Sequence, residues 1–546
     1  MMYTFLTQHN FDIDCSDETK KIYSHDASIC EVVPQCVVFP KNSEEISLLI
    51  NLVNEYKKTF PSLSLTMRSR GTCMSGGSLN DSIIVDTTKY MDHVGEVNNF
   101  SIITQPGAFY KHMEEKTLQR GMVMPAFTAS KNLCGTGGMF ANNCAGEQTL
   151  KFGKAQNWIL QTKFIGVDTV ERMVKPLTRG ELGKLMTEDS WWGNVNRNLF
   201  ELIMEHDYII KKNIPKVSKN SAGYNIWDIW NEQTGVWDIN KLLCGSQGTL
   251  GVTSEITWKL HNVEPETAMV VVFLKSLDDV PSAVNMIKKY QPNSIESYDD
   301  TSFSLALKYW KDFIESMGLW GAIKLGLRFI PELIRIAHSG LPKFVLVVEL
   351  QGNDKKILHG KAVEISNELD VHGHETRIPT SEGDKEKYWR IRRESFNLLR
   401  KHLHGTRTAP FIDDTVVNVE FLPQYMKELR AILDEYQLQY TIAGHAGNGN
   451  FHIIPLMDFK DYHTLEVIKK VSDKIFSLVK KYGGTTTGEH NDGLIRTPYL
   501  NYVFDNDMLE LFKKVKMLFD PHNIFNPRKK VGGSKEYLYE HIVKTS

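Results

Sequence analysis

Two glycine-rich stretches near the C-terminal end constrain this chain more than any other feature. They are Gly444-His445-Ala446-Gly447-Asn448-Gly449-Asn450-Phe451-His452 and Gly483-Gly484-Thr485-Thr486-Thr487-Gly488-Glu489-His490. Glycine and asparagine favour tight loops over helices, so the histidines and the glutamate are expected on loops. Together they can supply three ligands to a divalent cation and leave one base. Ordinary turns are the alternative, but the presence of both stretches in one chain favours a functional centre.

Composition and length point to an ordinary soluble protein of two or three domains. The 546 residues exceed the usual capacity of one core, and 24% charged residues with a formal charge of -2 imply no nucleic-acid or acidic partner. The seven cysteines form no CxxC pair, which favours a reducing, cytoplasmic location. We expect neither a signal peptide nor a membrane span, because the first 14 residues lack a basic and then apolar pattern and no run of 18 apolar residues occurs.

Three further glycine clusters lie in the N-terminal half, at Arg68–Ser78, Thr136–Gly146 and Cys244–Thr253. The first offers backbone N–H groups, hydroxyl groups and an arginine to an anion, which suits a pyrophosphate. Each cluster alone is equally typical of turns between strands. None forms the GxGxxG of a nucleotide-binding βαβ unit, so the three together favour an extended cofactor that lies along several loops.

Apolar periodicity predicts several regular elements. A strand at Gln35–Pro40 is followed by a helix from Ser43 to about Tyr56, and a second strand is expected at Leu63–Met67. The runs Ala268–Leu274 and Phe344–Leu350 are typical of buried strands, each followed by a helical pattern. We therefore expect an α+β cap over the cofactor.

An apolar stripe at helical spacing lies within the expected cap. Its members are Leu319, Trp320, Ile323, Leu327, Ile330, Ile334 and Ala337, with Lys324, Arg328 and Arg335 elsewhere on the circumference. Pro331 is expected to divide the stripe into two helices. The stripe is typical of core packing. A surface that touches a membrane or an electron-accepting partner is the alternative.

The order of the motifs resembles the FAD-linked oxidases of the vanillyl-alcohol oxidase superfamily. The motifs are RxxGTxxSGG, GGxxxxNxxG with KFG, GSxGTLGV, GHxGxGNxH, GEH and Phe519-Asp520-Pro521-His522-Asn523-Ile524-Phe525-Asn526-Pro527, and they cover roughly residues 35 to 530. Within that superfamily the chain is most similar to D-2-hydroxyacid dehydrogenases that act on D-lactate, glycolate or D-2-hydroxyglutarate.

The resemblance implies an α+β fold in three parts. Residues 1–264 would form a PCMH-type FAD-binding domain. Residues 265–499 would form a substrate or cap domain with an antiparallel sheet, which carries the metal and catalytic motifs. Residues 500–546 would form a C-terminal segment that packs back on the FAD-binding domain.

The resemblance also implies the site residues. Residues implied to bind FAD are Arg68, Gly71, Thr72, Ser75, Gly76 and Gly77 at the pyrophosphate, Gly138, Asn143, Gly146, Gly248, Thr249 and Gly251 along the flavin and ribityl chain, and Asn526. His445, His452 and Glu489 match ligands of zinc or manganese, and His490 matches the catalytic base. Arg392 matches the arginine that holds the substrate carboxylate, although its helical stretch alone is typical of a solvated charge. No histidine stands in the phosphate loop, so FAD is expected to be bound non-covalently.

Some residues depart from the family pattern. Ser69 and Arg70 stand where glycines are frequent, Asn448 replaces an aspartate, and Asn491 replaces a glycine. The segments Pro410–Asp414 and Gly488–Arg496 resemble a branch with a fused iron–sulfur module that oxidises D-2-hydroxyglutarate. No cluster-binding cysteine run follows Pro527 in this sequence, so we expect a separate electron acceptor.

The sequence therefore predicts metal-assisted oxidation of a small D-2-hydroxy acid by FAD. The metal would polarise the hydroxyl group, His490 would accept its proton, and C2 would deliver hydride to flavin N5. Residues that could hold a second carboxylate are Lys385, Arg390, Arg393 and Arg407. The acceptor could be a quinone, an electron-transfer protein or an iron–sulfur partner.

Three alternatives stay open at this point. The first is a quinone-linked D-lactate or glycolate oxidoreductase in peripheral contact with a membrane. The second is a non-redox flavoprotein transferase that resembles the alkylglycerone-phosphate synthases. The third is a catalytically silent subunit of an electron-transfer complex, suggested by Asn448 and Asn491. A homodimer is open as well.

Overall fold

The structure of the chain, a computed structural model, describes residues 4–302, 335–336, 338, 340–402 and 405–544. The predicted apolar stripe with its division at Pro331 lies outside the described residues, apart from Arg335. Among the helices that the structure describes, we find none that is both long enough and apolar enough to cross a membrane.

The part before residue 264 contains short strands and helices around two main sheets. Its strands are β1 Ile13–Asp14, β2 Cys36–Val38, β3 Leu65–Arg68, β4 Ile83–Asp86, β5 Ser101–Thr104, β6 Met122–Val123, β7 Ile159–Ile165, β8 Glu171–Val174, β9 Leu177–Thr178, β10 Trp230–Asn231, β11 Val236–Trp237, β12 Val252–Lys259 and β13 His261–Asn262. Its helices are α1 Thr4–Gln8, α2 Asp17–Tyr23, α3 Ser43–Tyr56, α4 Tyr110–Leu118, α5 Thr136–Asn142, α6 Thr149–Phe152, α7 Arg179–Met186, α8 Trp191–Glu205, α9 Asp207–Asn213 and α10 Asn240–Leu243. The main sheets have the strand orders β1-β2-β4-β3 and β5-β12-β7-β8.

The first sheet presents the phosphate loop. The predicted strand β2 and helix α3 are confirmed, and the Asn42 side chain caps α3 by accepting a hydrogen bond from the Glu45 N–H. Apolar residues of α3, among them Leu49 and Val53, pack into a buried cluster with the sheet. Strand β3 runs parallel to β4 and ends at Arg68, so the loop of residues 69–78 leaves from the carboxyl end of the sheet.

The glycine cluster at Thr136–Gly146 differs from the expected loop, because its first seven residues form helix α5. Close packing explains the glycines: a Cβ atom at Gly137 would lie 2.6 Å from the carbonyl oxygen of Pro106. At Gly138 no described atom lies within 4 Å of the Cβ position. The helix ends at Asn143, whose φ of 50° is left-handed.

The part from residue 265 to 499 is built on one antiparallel sheet with helices. Its strands are β14 Glu266–Leu274, β15 Ser294–Asp299, β16 Phe344–Gly352, β17 Glu375–Arg377, β18 Arg407–Thr408, β19 Thr415–Val416, β20 Gln439–His445 and β21 Asn450–Met457. Its described helices are α11 Val280–Lys288, α12 Lys355–Val371, α13 Glu382–His402, α14 Leu422–Glu435, α15 Thr464–Lys481 and α16 Gly493–Arg496. The strand order is β17-β14-β16-β15-β20-β21-β18, with β19 also on β21, and every pair is antiparallel. The α+β class with an antiparallel cap sheet is confirmed.

Both faces of this sheet are covered, which explains why β14 and β16 are continuous apolar runs. On one face Val270 and Val272 belong to a large cluster with α11, α12, α14 and α15. On the other face Val271 packs with Tyr388 and Ile391 of α13. Helix α13 therefore lies on the sheet face opposite α11, α12, α14 and α15.

The C-terminal residues return to the N-terminal part. Helices α17 Asn506–Phe519 and α18 Lys535–Glu540 follow α16, and Phe512 and Phe519 of α17 share a buried cluster with Leu199 of α8. Lys516 Nζ donates a 2.7 Å hydrogen bond to the Thr249 carbonyl oxygen. This contact ties α17 to the third glycine cluster.

Candidate active site

A cavity of about 540 Å³ lies between the glycine clusters and the face of the cap sheet that carries α13. Its volume is in the range of small-molecule sites. The predicted residues that line it are Arg68, Gly71, Thr72, Gly77, Gly138, Gly248 and Gly251 on one side and Arg392, His452, Glu489 and His490 on the other. The structure thus brings the predicted cofactor loops and the predicted chemical groups to one cavity.

The phosphate loop fits an anionic cofactor. Among the described residues, no acceptor bonds the N–H groups of Gly71, Thr72, Cys73 and Met74. The buried Arg68 Nη1 likewise has no hydrogen-bond partner within the described part of the chain. Unpaired N–H groups beside an arginine suit phosphate oxygens. This end of the cavity therefore matches the diphosphate of FAD.

Ser69 and Arg70 leave the loop open although they replace glycines. Ser69 Oγ donates to the Pro106 carbonyl oxygen at 2.8 Å, and Arg70 Nη2 donates to the Gly107 carbonyl oxygen at 2.8 Å. The two side chains thus fasten the loop to the segment before α4.

Several predicted FAD residues lie behind the cavity lining. They are Ser75, Gly76, Asn143, Gly146, Thr249 and Asn526. Asn526 shows what such a residue does: its Nδ2 donates to the carbonyl oxygens of Gly77, at 2.9 Å, and Gln247, at 2.6 Å, and its Oδ1 accepts from Thr66 Oγ1 at 2.8 Å. It joins two cofactor loops to strand β3.

Three predicted metal ligands converge on one point. Strands β20 and β21 form a hairpin, in which β20 ends at His445 and β21 carries His452. His445 Nε2, His452 Nε2 and Glu489 Oε1 are each 3.3 Å from the other two atoms. Ligands at 2.0–2.1 Å around a tetrahedral zinc are separated by about 3.3 to 3.4 Å. The spacing therefore fits a divalent cation bound by three protein ligands.

A buried lysine supports the glutamate of this triad. Lys219 Nζ lies 2.6 Å from Glu489 Oε2 and donates to Asn450 Oδ1 at 3.0 Å. Burial alone would raise the Glu489 pKa, but Lys219 and the histidines hold that pKa well below its usual range. The nearby Asn448 Nδ2 donates to Ser218 Oγ at 3.2 Å.

Carboxylates also hold the outer nitrogen atoms of the two histidines. Glu296 Oε1 lies 2.6 Å from His445 Nδ1, and Asp413 Oδ1 lies 3.2 Å from His452 Nδ1. Burial alone would lower the His452 pKa, but Asp413 and Glu489 raise it to about 10. The triad thus attracts positive charge, which a metal ion would supply in place of a proton.

A second donor set shares two of these positions. Ligand atoms of Asp414, His452, Glu489 and His490 lie within 4.8 Å of one another. Both Asp414 oxygens already accept hydrogen bonds, Oδ1 from Asn450 Nδ2 and Oδ2 from the N–H groups of Glu489 and His490. Asp414 therefore organises the loop, and His445 is the better third ligand.

His490 lies beside the triad as one end of an Asp–His pair. Its Nδ1 is 2.7 Å from Asp413 Oδ2, and its ring stacks on that of His452 at 5.1 Å between centroids. Burial would lower the His490 pKa, but Asp414 and Asp413 raise it. The two atoms, Nδ1 and Oδ2, form no hydrogen bond with one another in the structure, but the negative charge of Asp413 favours the proton at Nδ1, which leaves Nε2 to accept another.

Arg392 reaches the same cavity from α13. Its side chain is only 8% exposed, which excludes the solvated-charge alternative. Its Nε donates to Glu296 Oε2 at 2.8 Å, whereas its buried Nη2 finds no hydrogen-bond partner among the described residues. An unpaired guanidinium N–H in a cavity suits an incoming carboxylate.

The residues predicted to hold a second substrate carboxylate do not place another unpaired cationic group in the cavity, among the described residues. These residues are Lys385, Arg390, Arg393 and Arg407, of which Arg393 lines the cavity. Arg393 forms two hydrogen bonds with Glu147, at 3.0 and 2.7 Å. Lys385 Nζ donates to Thr267 Oγ1 at 2.7 Å.

The segment after Glu489 is bonded to both glycine-rich regions. Asn491 Nδ2 donates to the carbonyl oxygens of Asn142, at 3.1 Å, and Gly245, at 2.9 Å. The Ser75 carbonyl oxygen accepts a 2.8 Å hydrogen bond from the Leu494 N–H. Asn491 thus links the segment of Glu489 and His490 to the second and third glycine clusters.

Lys219, Glu296 and Asp413 are site residues that the motifs did not indicate. Lys219 and Glu296 are single polar residues, 270 and 149 positions from their triad partners. The sole sequence signal for Glu296 is a carboxylate inside an otherwise strand-like segment. Asp413 lies in a segment quoted for its family resemblance.

Two family models match the chain, and each includes residues that line the cavity. "FAD binding domain" matches residues 34–168, and "FAD linked oxidases, C-terminal domain" matches residues 263–530. The chain belongs to the FAD-linked oxidases with a PCMH-type FAD-binding domain.

Individual relatives refine this assignment. The chain is 26% identical over 523 residues to a D-2-hydroxyglutarate dehydrogenase of Pantoea ananatis, covering 93% of this chain but 49% of that protein. It is 24% identical over 530 residues to the glycolate oxidase subunit GlcD of Bacillus subtilis, covering 95% and 93%. Thus the chain spans about half the length of the D-2-hydroxyglutarate dehydrogenase and nearly all of GlcD. A solved structure of an alkyldihydroxyacetonephosphate synthase superposes with a TM-score of 0.67 at 15% identity, over 96% of this chain and 85% of that one, which shows the shared fold.

Proposed function

We propose that the chain catalyses the FAD-dependent, divalent-metal-assisted oxidation of a D-2-hydroxy acid to the 2-oxo acid. The observation that carries the proposal is the 3.3 Å triad of His445, His452 and Glu489, of which His452 and Glu489 line the same cavity as the phosphate loop. The names of the relatives support the substrate class and the D configuration.

The chain's own residues can hold and orient such a substrate. Arg392 Nη2 would bind the carboxylate, because it is buried at the cavity and lacks a partner among the described residues. A 2-hydroxy acid places its hydroxyl group one carbon away from that carboxylate. A divalent cation on the triad, zinc or manganese, would lower the pKa of this hydroxyl group.

Proton removal would fall to His490. The charge of the Asp413 carboxylate, whose Oδ2 lies 2.7 Å from Nδ1, would keep a proton on that nitrogen, so Nε2 would accept the hydroxyl proton. Asp413 would then stabilise the imidazolium that results, as in other Asp–His pairs. FAD, when bound along Arg68–Gly77 and the α5 region, supplies the acceptor for the hydride that leaves C2.

The proposal extends to the electron acceptor. We infer a separate one, a quinone, an electron-transfer protein or an iron–sulfur partner, because a reduced flavin must be reoxidised for turnover. Measuring how fast redox dyes of different potential reoxidise the reduced flavin tests this inference.

Anaerobic bleaching of the flavin by a panel of D- and L-2-hydroxy acids tests the proposal. The protein is loaded with FAD and metal, and the parent is compared with His490→Ala. His372→Ala is the matched control, because this exposed histidine lies outside the cavity lining. We expect rapid bleaching by a D-acid, loss of bleaching in His490→Ala and no change in the control.

The same experiment separates the oxidation from a transferase function. The structural similarity to an alkyldihydroxyacetonephosphate synthase is one of fold alone. A protein that binds FAD and metal but is reduced by no 2-hydroxy acid would refute the oxidation and favour the transferase or silent-subunit alternative.

A further inference from the structure

One buried carboxylate contacts both a proposed metal ligand and the proposed substrate-binding arginine. Glu296 of β15 is fully buried, with Oε1 2.6 Å from His445 Nδ1 and Oε2 accepting a 2.8 Å hydrogen bond from Arg392 Nε. We propose that Glu296 is a positioning residue that orients the metal-ligating nitrogen of His445 and the carboxylate-binding guanidinium of Arg392 together. The proposal rests on the proposed function, since it assumes a metal at one group and an acid at the other.

The contact with His445 determines which nitrogen can bind a metal. A carboxylate oxygen accepts only, so Nδ1 must carry the proton and Nε2 must present its lone pair. Nε2 is the atom that lies 3.3 Å from Glu489 Oε1. Glu296 therefore aims His445 at the centre of the triad.

The contact with Arg392 determines the plane of the guanidinium. This group is rigid and planar, so a hydrogen bond at Nε fixes the direction of the remaining N–H groups. Among the described residues, Nη2 has no partner, and the side chain lines the cavity. With Nε held, Nη2 is directed to receive a carboxylate without a large cost in side-chain entropy.

The two positioned groups come from different elements. His445 ends strand β20, whereas Arg392 lies on helix α13. Strand β15 pairs with β20, which brings Glu296 beside the hairpin, and α13 covers the same sheet face. Both functions thus depend on one side chain at the junction of strand and helix.

An amide cannot replace this carboxylate. Glutamine has one acceptor oxygen and one NH2 group, so it can accept from His445 or from Arg392 but not from both. The other partner then faces the NH2 group, and because both groups are donors, that hydrogen bond is lost. Aspartate keeps the charge but is one carbon shorter, so it can reach only one of the two partners.

Two titrations on the FAD-loaded protein test the proposal, each with the other ligand absent. The first measures Zn²⁺ and Mn²⁺ affinity by competition with a chromophoric chelator in the absence of any acid. The second measures pyruvate and 2-oxoglutarate binding to the metal-free protein from the perturbation of the flavin spectrum. Both are run on the parent, Glu296→Gln, Glu296→Asp and the control Glu349→Gln, which carries the same change on the neighbouring strand β16.

We expect Glu296→Gln to weaken metal binding by about 10 to 100-fold. Oxo-acid binding should weaken by about tenfold or more, since a hydrogen bond to a charged group is lost. Glu349→Gln should leave both affinities within about twofold of the parent. If Glu296→Gln does not fold, as judged by FAD content and circular dichroism, Glu296→Asp decides: at least one of the two affinities should fall about tenfold, and two unchanged affinities would overturn the inference.

The outcomes separate the two proposals. A Glu296→Gln protein that binds metal more weakly but binds the oxo acid like the parent reduces Glu296 to a partner of His445 and overturns the inference. A parent that binds neither metal nor oxo acid contradicts both proposals. A parent that binds both ligands but whose flavin no 2-hydroxy acid reduces refutes the oxidation, and the variants still decide the role of Glu296.

Discussion

Replacing Lys219 by methionine should destabilise the metal-free protein much more than the metal-loaded protein. The Lys219 side chain is 0% exposed and that of Glu489 is 9% exposed, with 2.6 Å between Nζ and Oε2. Methionine fills similar space but removes the positive charge. In the metal-free variant the buried Glu489 carboxylate loses Lys219 and keeps only the cation of His452, whose pKa is raised to about 10.

The magnitude follows from this burial. Breaking a buried ion pair by removing one partner costs about 3 to 5 kcal/mol where the remaining charge is uncompensated, and with His452 still beside Glu489 this range is the upper bound. For a unit of 150 to 250 residues this corresponds to a fall in Tm of about 6 to 20 °C. A divalent cation on the triad compensates Glu489 by itself, so the cost in the loaded protein should fall below about 2 kcal/mol.

Thermal unfolding followed by circular dichroism, with chelator or with saturating Zn²⁺, measures both values. Lys513→Met is the control: Lys513 pairs with Glu510 at the surface, where such a pair contributes about 0 to 1 kcal/mol. Equal losses of Tm with and without metal would refute the reasoning, and so would a metal-free Lys219→Met protein as stable as the control.

Three further predictions concern the base, a buried acid and the cofactor helix. Asp413→Asn should slow flavin reduction by about 10² to 10⁴-fold at unchanged FAD content, because His490 loses its charged partner; a stopped-flow rate near that of the parent would contradict the role. Burial raises the pKa of Glu349 to about 7 from 4.5, so its contribution to stability is complete below pH 4.5 and is lost as pH rises through 7. The free energy of unfolding of Glu349→Gln should therefore equal that of the parent near pH 4.5 and be up to about 3 kcal/mol larger above pH 7. A difference in Tm that does not change with pH would contradict this. Gly138→Leu should raise the Tm of the FAD-free protein, since glycine costs a helix about 1 kcal/mol, yet reduce FAD binding because the side chain enters the cavity; full FAD occupancy would place the cofactor elsewhere.

The local sequence pattern predicts those strands, helices and turns that are determined by residues close together in the chain. The runs Ala268–Leu274 and Phe344–Leu350 are strands because continuous apolar residues fit a sheet covered on both faces. Helix α3 follows from its spacing and cap. The hairpin at His445 and His452 follows from glycine and asparagine, which favour a short turn.

Long-range contacts account for what the pattern missed. Helix α5 contains Gly137 and Gly138, which lower helix propensity, and its formation depends on close packing against Pro106. Lys219 and Glu296 enter the site through single contacts between residues far apart in the chain. A lone lysine or glutamate carries no periodic signal, so its role becomes visible only with the fold.

The bonds made by the segment after Glu489 bear on how this protein could be recombined with its relatives. Asn491 and Leu494 belong by sequence to the cap, yet they bond to Asn142, Gly245 and Ser75 of the N-terminal part. A chimera with a single crossover near residue 265 would separate these partners and join surfaces that did not evolve together. A transplant that moves residues 488–496 together with the N-terminal part keeps these bonds but separates Glu489 from His445 and His452 of the cap, so either border cuts contacts of the site.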